Sequence, residues 1–217
     1  MRSYQLPKLV KALVFDMDNT LYTNADYANH QELVLVERLA REFSIPVAKA
    51  GDLVNSTRGQ LSAEQGGKKP SLGTTFLKLG IPIATSVAWR NEFIIPERFL
   101  RADQKLAAVF KGLAINFRLA IVTNNPVATA RRTLDVLGIG GLVPVIIGLD
   151  STGVSKPDLA AFRMATELLD CPSAATVSVG DRYEIDIEPA LALGMGGLLV
   201  DGVEDVYALP GFLIGKS

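Results

Sequence analysis

The sequence of 217 residues contains one cysteine, Cys171, and one histidine, His30. A single cysteine excludes an internal disulfide framework. A structural zinc site needs about four Cys or His ligands, so these two residues cannot supply one. A Ser–His–Asp triad could use only His30. Catalysis would therefore depend on carboxylates, lysine, hydroxyl groups, backbone amides and a metal ion that prefers oxygen ligands.

The sequence also lacks a long apolar run and an excess of one charge. Its 22 basic residues nearly balance 23 acidic residues, which leaves a formal net charge of -1. We therefore expect neither a nucleic-acid polymer nor an anionic membrane as a partner. No run is long enough to span a bilayer, and the N-terminal MRSYQLPK lacks the apolar core of a secretory signal, which predicts a cytoplasmic protein. The composition does not distinguish a monomer from a homodimer.

What the sequence does contain is a large apolar fraction, 48% of its residues, much of it in short runs rich in Val, Ile and Leu. These runs lack apolar/polar alternation, as expected for parallel strands that are covered on both faces. The predicted strands are 12–15, 119–122, 143–147, 176–179 and 197–200. The helices predicted between the last four strands are 127–137, 158–169 and 186–193. This order predicts a Rossmann-like, doubly wound α/β core with a parallel sheet.

About a hundred residues separate the first predicted strand from the second, whereas a crossover connection needs only about a dozen. Helical spacing of apolar residues predicts that an α-helical cap is inserted here, with helices around 33–43, 47–54, 74–79 and 84–93. We expect residues 23–100 to form this cap and residues 1–22 and 101–217 to form the core. The polar, glycine-rich stretch 55–73 is predicted to be a mobile or ligand-facing loop.

The first predicted strand leads into the segment DMDNT, which contains Asp16 and Asp18. Residues two apart in an extended chain point the same way, so both carboxylates would project beyond the carboxyl end of the strand. Ligands of open parallel sheets bind at this edge. The two carboxylates would repel each other unless a divalent cation such as Mg2+, or a shared proton, compensated their charge. The alternative is a solvated turn, for which Asp and Asn are also suited.

Two further predicted strands end in residues suited to a phosphate group. Thr123 and Asn124 follow the second strand, where a hydroxyl and free amides suit an anion, although an ordinary helix N-cap is the alternative. Lys156 follows the third strand, and Pro157 keeps it out of helical geometry. A lysine held at the site would neutralise phosphate charge, whereas the alternative is one more exposed lysine.

The fourth of these strands ends in GDRYEID, which brings Asp181, Glu184 and Asp186 to the same edge of the sheet. A carboxylate opposite Asp16 and Asp18 would complete a site for a hard metal ion. Asp186 could instead cap the helix that follows. For Asp181, which comes directly after the apolar strand, the metal site is the favoured interpretation.

These four segments, in this order and each at a strand end, resemble the signature of the haloacid dehalogenase-like (HAD) hydrolase superfamily. DMDNT resembles its first motif, TNN its second, SKP its third and GDRYEID its fourth. Members with a helical (C1-type) cap insert it just after the first motif, where this sequence carries its additional residues. The resemblance therefore covers the whole chain and implies a HAD-like core with a helical cap.

The resemblance implies a Mg2+-dependent phosphatase that works through an aspartyl-phosphate intermediate. Asp16 would be the nucleophile, and Asp18 would protonate the leaving oxygen and later act as a base on water. Mg2+ would be held by the side chains of Asp16 and Asp181 and by the backbone carbonyl of Asp18, with Asp186 supporting the cluster. The groups that would hold the transferring phosphoryl group are Thr123, the backbone amide of Asn124 and Lys156. Haloacid dehalogenases lack the second aspartate of the first motif, because a leaving halide needs no proton, so Asp18 argues against dehalogenation.

The cap would select the substrate, which we expect to be a small phosphorylated metabolite. Arg58, Lys68 and Lys69 lie in the polar stretch of the cap and could meet a second anionic group, although charged loop residues are commonly only solvated. A likeness to pyrimidine 5′-nucleotidase-like and phosphoglycolate phosphatase-like members implies a nucleoside monophosphate or a phosphoglycolate-like substrate. The alternatives are a phosphomutase of the β-phosphoglucomutase type and a binding protein on the same fold, which would normally have lost a carboxylate.

Overall fold

The computed structural model describes residues 1–64, 66–68 and 70–214. The strands within these ranges are β1 (Arg2–Tyr4), β2 (Ala12–Phe15), β3 (Arg118–Val122), β4 (Val145–Ile147), β5 (Thr176–Gly180) and β6 (Gly196–Leu199). They form one sheet in the order β1-β6-β5-β2-β3-β4. Strands β2 to β6 are parallel, and β1 is antiparallel to β6. Because β2 lies between β3 and β5, its carboxyl end is near the middle of the sheet edge.

All five predicted strands are confirmed, and β1 is an additional strand that the sequence did not predict. Every residue of β2 and of β5 is buried, as expected where both faces of a parallel sheet are covered. β1 has the sequence RSY, which carries no apolar pattern, and it is held by its pairing with β6, where Arg2 lies opposite Leu199. Strand pairing of this kind depends on a partner that is distant in the chain, so no local pattern indicates it.

Helices cover the sheet and build the insertion. They are α1 (Ala25–Glu42), α2 (Val47–Glu64), α3 (Leu72–Lys78), α4 (Ile83–Phe93), α5 (Gln104–Asn116), α6 (Val127–Leu137), α7 (Leu149–Thr152), α8 (Ala160–Leu168), α9 (Glu188–Ala192), α10 (Val203–Tyr207) and α11 (Leu209–Ile214). Short 3₁₀ helices and one π-helix also occur, at Pro96–Arg98, Gly140–Leu142, Ser173–Ala175 and, for the π-helix, Tyr183–Ile187. None of the helices in the described ranges is long and apolar enough to cross a membrane.

The two faces of the sheet pack into different apolar clusters. Leu13 and Phe15 of β2 belong to a cluster that contains Phe110 of α5. Val14, which points the opposite way, belongs to a second cluster with Phe162 of α8. Helices therefore cover both faces, and this confirms the doubly wound α/β core that the sequence predicts.

Helices α1 to α4 form a helical cap with an apolar cluster of its own. The buried members of this cap cluster are Leu35, Val36, Leu39, Ala40, Ala50, Val54, Phe76, Ile81 and Trp89. Near the two ends of the insertion, Tyr27 and Ile94 pack into the core cluster instead. We propose that residues 23–100 form the cap and residues 1–22 and 101–217 the core, since the separate cluster lies between these ends.

The prediction of a loop over 55–73 is wrong for residues 55–64, which belong to α2, and for Leu72 and Gly73, which begin α3. Val54, Thr57 and Leu61 are buried in α2 at helical spacing. Because these residues anchor one face of the helix, the polar residues on the opposite face do not end it. Arg58 consequently lies on a helix rather than in a loop.

Candidate active site

Asp16 and Asp18 directly follow β2 at the carboxyl edge of the sheet. Asp16 continues the strand pairing, since its backbone amide donates a hydrogen bond to the carbonyl oxygen of Val179 at 2.8 Å. Met17, between the two aspartates, is buried in the core cluster, so Asp16 and Asp18 point away from it. Asp16 is buried and Asp18 is half-buried. The two carboxylates have different partners, those of Asp16 in the core and those of Asp18 in both the core and the cap.

The Lys156 ammonium group lies between two buried carboxylates. Its Nζ atom donates to Asp16 Oδ1 and to Asp186 Oδ1, at 2.6 Å in each case. Burial by itself would lower the pKa of Lys156, but the charges of Asp16 and Asp186 outweigh burial and raise that pKa above its ordinary value. Lys156 is thus a buried, charged lysine, which removes the alternative of an exposed one.

The side chain of Asn124 holds the backbone of Lys156. Asn124 Oδ1 accepts a hydrogen bond from the Lys156 amide at 2.7 Å, and Asn124 Nδ2 donates to the Lys156 carbonyl oxygen at 3.4 Å. Thr123 is buried, and its Oγ1 accepts a hydrogen bond from the amide of Asn125 at 3.1 Å. The N-cap of α6 is Pro126, so neither Thr123 nor Asn124 is the helix cap of the alternative interpretation.

A π-helix, Tyr183–Ile187, carries Asp186, whereas the sequence predicted an α-helix over 186–193. The Asp186 amide donates to the carbonyl oxygen of Arg182 at 2.8 Å, and Asp186 Oδ2 accepts from the Arg182 amide at 3.1 Å. The carbonyl oxygen of Asp186 accepts from Ser178 Oγ of β5 at 2.7 Å. Asp186 therefore lies inside a helical turn and does not cap α9, and π-helical turns are frequent at functional sites.

Asp16, Asp181 and Asp186 form an acidic cluster in which carboxylate oxygens of all three lie within 4.8 Å of one another. Asp181 Oδ1 is buried and has no hydrogen-bond partner among the described residues, and the nearby Arg182 Nε is 3.7 Å away. Burial, followed by the charges of Asp16 and Asp186, raises the pKa of Asp181 to about 7. A hard cation fits this cluster, because it would give Asp181 Oδ1 a partner and reduce the repulsion among the carboxylates.

Three side chains that the sequence analysis missed orient Asp18. Asp18 Oδ1 accepts hydrogen bonds from Tyr22 Oη at 2.5 Å and from Gln31 Nε2 at 2.7 Å. Asp18 Oδ2 accepts from Asn125 Nδ2 at 3.0 Å, and the same Asn125 group donates to Gln31 Oε1 at 2.9 Å. Gln31 is on α1 of the cap and Asn125 follows β3 of the core, so this network joins cap and core at Asp18. Asn125 is the second asparagine of the TNN segment and could have been identified from that motif, whereas no sequence pattern indicated Gln31.

A cavity of about 300 Å³ opens beside Asp18, between the cap and the core. The core contributes Asn124 and Arg182 to its lining, and the cap contributes Arg58 and Arg90. Its position beyond the carboxyl ends of the strands is where ligands of doubly wound folds bind. The site therefore combines an acidic cluster, a buried lysine and a small cavity with basic groups on its cap side.

The three basic cap residues singled out from the sequence have different surroundings. Arg58 lines the cavity, and its Nη1 donates to Glu32 Oε1 at 2.8 Å. Lys68 donates to Glu188 Oε2 of α9 at 2.6 Å and is not part of the described cavity lining. Lys69 lies outside the described residues. Arg90, which the sequence analysis did not single out, lines the cavity from α4.

Comparisons with known proteins agree with this geometry. A family model described as haloacid dehalogenase-like hydrolase matches residues 10–194. Glyceraldehyde 3-phosphate phosphatase of Methanocaldococcus jannaschii is 23% identical over 189 residues, which cover 86% of this chain and 83% of the relative. Pyrophosphatase PpaX of Listeria monocytogenes serotype 4a is 27% identical over 183 residues, which cover 82% of this chain and 77% of the relative. The chain belongs to the haloacid dehalogenase-like hydrolases. The two relatives are named as a phosphatase and a pyrophosphatase.

The fold is shared with a solved structure, that of 2-haloacid dehalogenase from Pseudomonas syringae pv. Tomato. The two chains superpose with a TM-score of 0.62 and 20% sequence identity, and the match covers 96% of this chain and 100% of the other. At this identity the likeness shows the fold alone. The names that refer to phosphatase activity belong to the sequence relatives.

Proposed function

We propose that this chain is a Mg2+-dependent phosphatase that hydrolyses a small phosphomonoester through an aspartyl-phosphate formed on Asp16. The contact of 2.6 Å between Asp16 Oδ1 and Lys156 Nζ, beside Asp181 and Asp186, is the observation that supports it most directly. Phosphoryl transfer places negative charge on the transferred oxygens, so catalysis consists largely of positioning and charge stabilisation. A buried ammonium next to the attacking carboxylate supplies both.

In the first step, a carboxylate oxygen of Asp16 attacks the phosphorus atom and the bond from phosphorus to the ester oxygen breaks. The carboxyl group of Asp18 gives its proton to that leaving oxygen, and the alcohol departs. Lys156, the backbone amide of Asn124 and Thr123 hold the phosphoryl oxygens during the transfer. In the second step, water attacks the phosphorus atom and gives a proton to Asp18. The bond between Asp16 and phosphorus breaks, which releases inorganic phosphate.

The acidic cluster would hold Mg2+ through the carboxylates of Asp16 and Asp181 and through the backbone carbonyl of Asp18, with Asp186 in support. The cation supplies positive charge that offsets the charge of the phosphoryl group and of the carboxylates. Asp186 already accepts a hydrogen bond from Lys156 Nζ, which suits a supporting role.

Asp18 favours phosphatase chemistry over dehalogenation, because an alcohol leaves with a proton and a halide does not. Tyr22, Gln31 and Asn125 hold the Asp18 side chain beside the cavity where a leaving group would lie. The cavity volume of about 300 Å³ suits a small phosphorylated metabolite. A phosphoglycolate-like molecule and a nucleoside monophosphate are the candidate substrates, and the two relatives described above are named for glyceraldehyde 3-phosphate and for pyrophosphate.

The test is phosphate release from p-nitrophenyl phosphate and from a panel of phosphorylated metabolites, with Mg2+ or with a chelator. We expect release to need Mg2+ and to fall by more than about a thousandfold in Asp16→Asn, which removes the nucleophile. Asp52→Asn, the same substitution at an exposed position of α2, is the matched control and should keep the parent activity.

Equal release by the parent and by Asp16→Asn would contradict the assignment of the nucleophile. Interconversion of sugar phosphates with little net phosphate release would instead indicate a mutase. Binding of phosphorylated compounds without turnover of any substrate would indicate a binding protein.

A further inference from the structure

Arg90 is a buried arginine that points into the cavity beside Asp18. It lies on α4, is 5% exposed, and contributes to the cavity lining. Its Nε donates to Ser86 Oγ at 3.4 Å, and its Nη1 donates to Asn125 Oδ1 at 3.2 Å. No described residue accepts a hydrogen bond from its Nη2. A guanidinium group has five N–H donors, so most of the hydrogen-bonding capacity of Arg90 is unused.

Arg90 also has no ion-pair partner within 4.0 Å among the described residues. None of the carboxylates in the described ranges forms an ion pair with it, whereas Arg58, the other cap arginine in the cavity, is paired with Glu32. Asp18 is separated from Arg90 by the amide group of Asn125, which bonds to both. A buried charge without a partner is costly, so buried arginines are normally paired. Burial accordingly lowers the pKa of Arg90 to about 10.

We propose that Arg90 binds a second anionic group of the substrate, carried by the leaving group a few atoms from the phosphate ester. This inference rests on the proposed phosphatase function and specifies its substrate class. The ester oxygen must lie near Asp18, which protonates it, and a single amide side chain, that of Asn125, spans the distance from Asp18 to Arg90. The carbon chain that leads from the ester oxygen to the second anionic group is therefore short, of two or three carbon atoms when the carbon of a carboxylate is counted.

Two anionic groups have the required chemistry, a carboxylate and a phosphate, because the planar guanidinium binds either one through two parallel hydrogen bonds. The probes are three small phosphate esters. Carboxymethyl phosphate carries a carboxylate, ethylene glycol bisphosphate carries a second phosphate, and 2-hydroxyethyl phosphate has a neutral hydroxyl in the corresponding position. A preference for carboxymethyl phosphate over 2-hydroxyethyl phosphate would identify the second group as a carboxylate. A preference for ethylene glycol bisphosphate would identify it as a phosphate.

We expect the parent enzyme with Mg2+ to show a kcat/KM at least about tenfold higher for one of the anionic probes than for 2-hydroxyethyl phosphate. In Arg90→Met, the ratio of the two kcat/KM values should fall at least about tenfold, mainly through a higher KM for the anionic probe. Arg90→Lys keeps the charge but loses the two-pronged geometry, so its ratio should lie between those of the parent and Arg90→Met. Arg41→Met removes a positive charge from an exposed position of α1 outside the described cavity lining and should keep the parent ratio.

Equal kcat/KM for the anionic and neutral probes in the parent would overturn the proposal. If Arg90 only held Asn125 in place, Arg90→Met would lower kcat for all probes by the same factor, and the unchanged ratio would also overturn it. Calorimetric binding of the probes to Asp16→Asn with Mg2+ measures the same preference without turnover. Absence of turnover by the parent would count against the proposed function, whereas equal affinities of Asp16→Asn for the anionic and neutral probes would count against the role of Arg90.

Discussion

At the scale of single residues, the candidate site depends on one ammonium group placed among carboxylates. Lys156 is 2% exposed and donates to Asp16 and Asp186, while Asp181 has no hydrogen-bond partner for its Oδ1 among the described residues. Burying like charges without a cation is expensive, so the cluster is stable only with positive charge beside it. Lys156 supplies this charge in the protein, and a bound divalent cation would add to it.

Replacement of this ammonium group tests its contribution to stability. We predict that Lys156→Met lowers the free energy of unfolding by about 3 to 5 kcal/mol, because it leaves Asp16 and Asp186 buried without their cation. Urea unfolding of the metal-free protein measures the loss. Mg2+ should raise the melting temperature of Lys156→Met more than that of the parent, since the cation replaces part of the missing charge.

Lys49, which is exposed on α2, provides the control for this substitution. Lys49→Met should change the free energy of unfolding by less than about 0.5 kcal/mol, as surface substitutions usually do. If Lys156→Met and Lys49→Met unfolded at the same urea concentration, the buried ammonium would have no stabilising role.

At the scale of secondary-structure elements, the end of β5 and the π-helix Tyr183–Ile187 together position the acidic cluster. Gly180, the last residue of β5, passes so close to the π-helix that a Cβ atom there would lie 2.4 Å from Asp186 Cβ and 2.6 Å from Asp186 Cγ. No side chain can be added without displacing Asp186. The glycine before Asp181 is therefore required by the close approach of Asp186 rather than by a special backbone conformation.

We predict that Gly180→Ala moves Asp186 away from Lys156, destabilises the protein by about 1 to 3 kcal/mol as overpacking does, and weakens Mg2+ binding. The measurement is Mg2+ affinity from calorimetry, together with the melting temperature. Gly112→Ala is the matched control, because a Cβ at this position of α5 meets nothing within 4 Å. It should leave Mg2+ affinity unchanged and keep or raise the melting temperature, since alanine is the better helix former. Unchanged Mg2+ affinity in Gly180→Ala would show that the position of Asp186 does not matter for the metal.

At the scale of the whole molecule, the cap has its own apolar cluster and touches the core around the candidate site. Phe76 of α3 and Trp89 of α4 are buried in that cluster, and their ring centroids are 6.2 Å apart in an edge-to-face arrangement. Trp89 is the single tryptophan of the sequence, so its fluorescence reports on the cap. Circular dichroism of the helices and strands reports on the entire chain.

We predict that Phe76→Ala destabilises the cap by about 3 to 5 kcal/mol, because it removes a fully buried aromatic side chain. The urea midpoint from Trp89 fluorescence should then fall below the midpoint of the main circular dichroism transition. Leu77→Ala, at a neighbouring position of α3 that is 54% exposed, should leave the two midpoints where they are in the parent. Coincident midpoints in Phe76→Ala would contradict the proposed boundaries, since cap and core would then unfold as one unit.

Several features of the fold followed from local patterns. The predicted strands are confirmed because a parallel strand covered on both faces must be apolar along its whole length, and β2 and β5 are. Other elements lacked such a signal. The C-terminal half of α2 is anchored by the buried side chains of Thr57 and Leu61, the pairing of β1 depends on β6, and Asp186 of the π-helix lies close against Gly180.

The sequence by itself determined the core of the candidate site, because Asp16, Thr123 and Asp181 directly follow strands and the carboxyl ends of parallel strands meet at one edge. Lys156 comes after α7, and it was identifiable because it precedes Pro157 in a segment that resembles the third family motif. The roles assigned to these residues remain a proposal. Only the tertiary structure decided which other polar groups face them. Gln31, Arg90 and Asn125 meet around Asp18 because the cap helices turn particular faces toward the core, and helical spacing identifies an apolar face without indicating which polar residues will meet across a cavity.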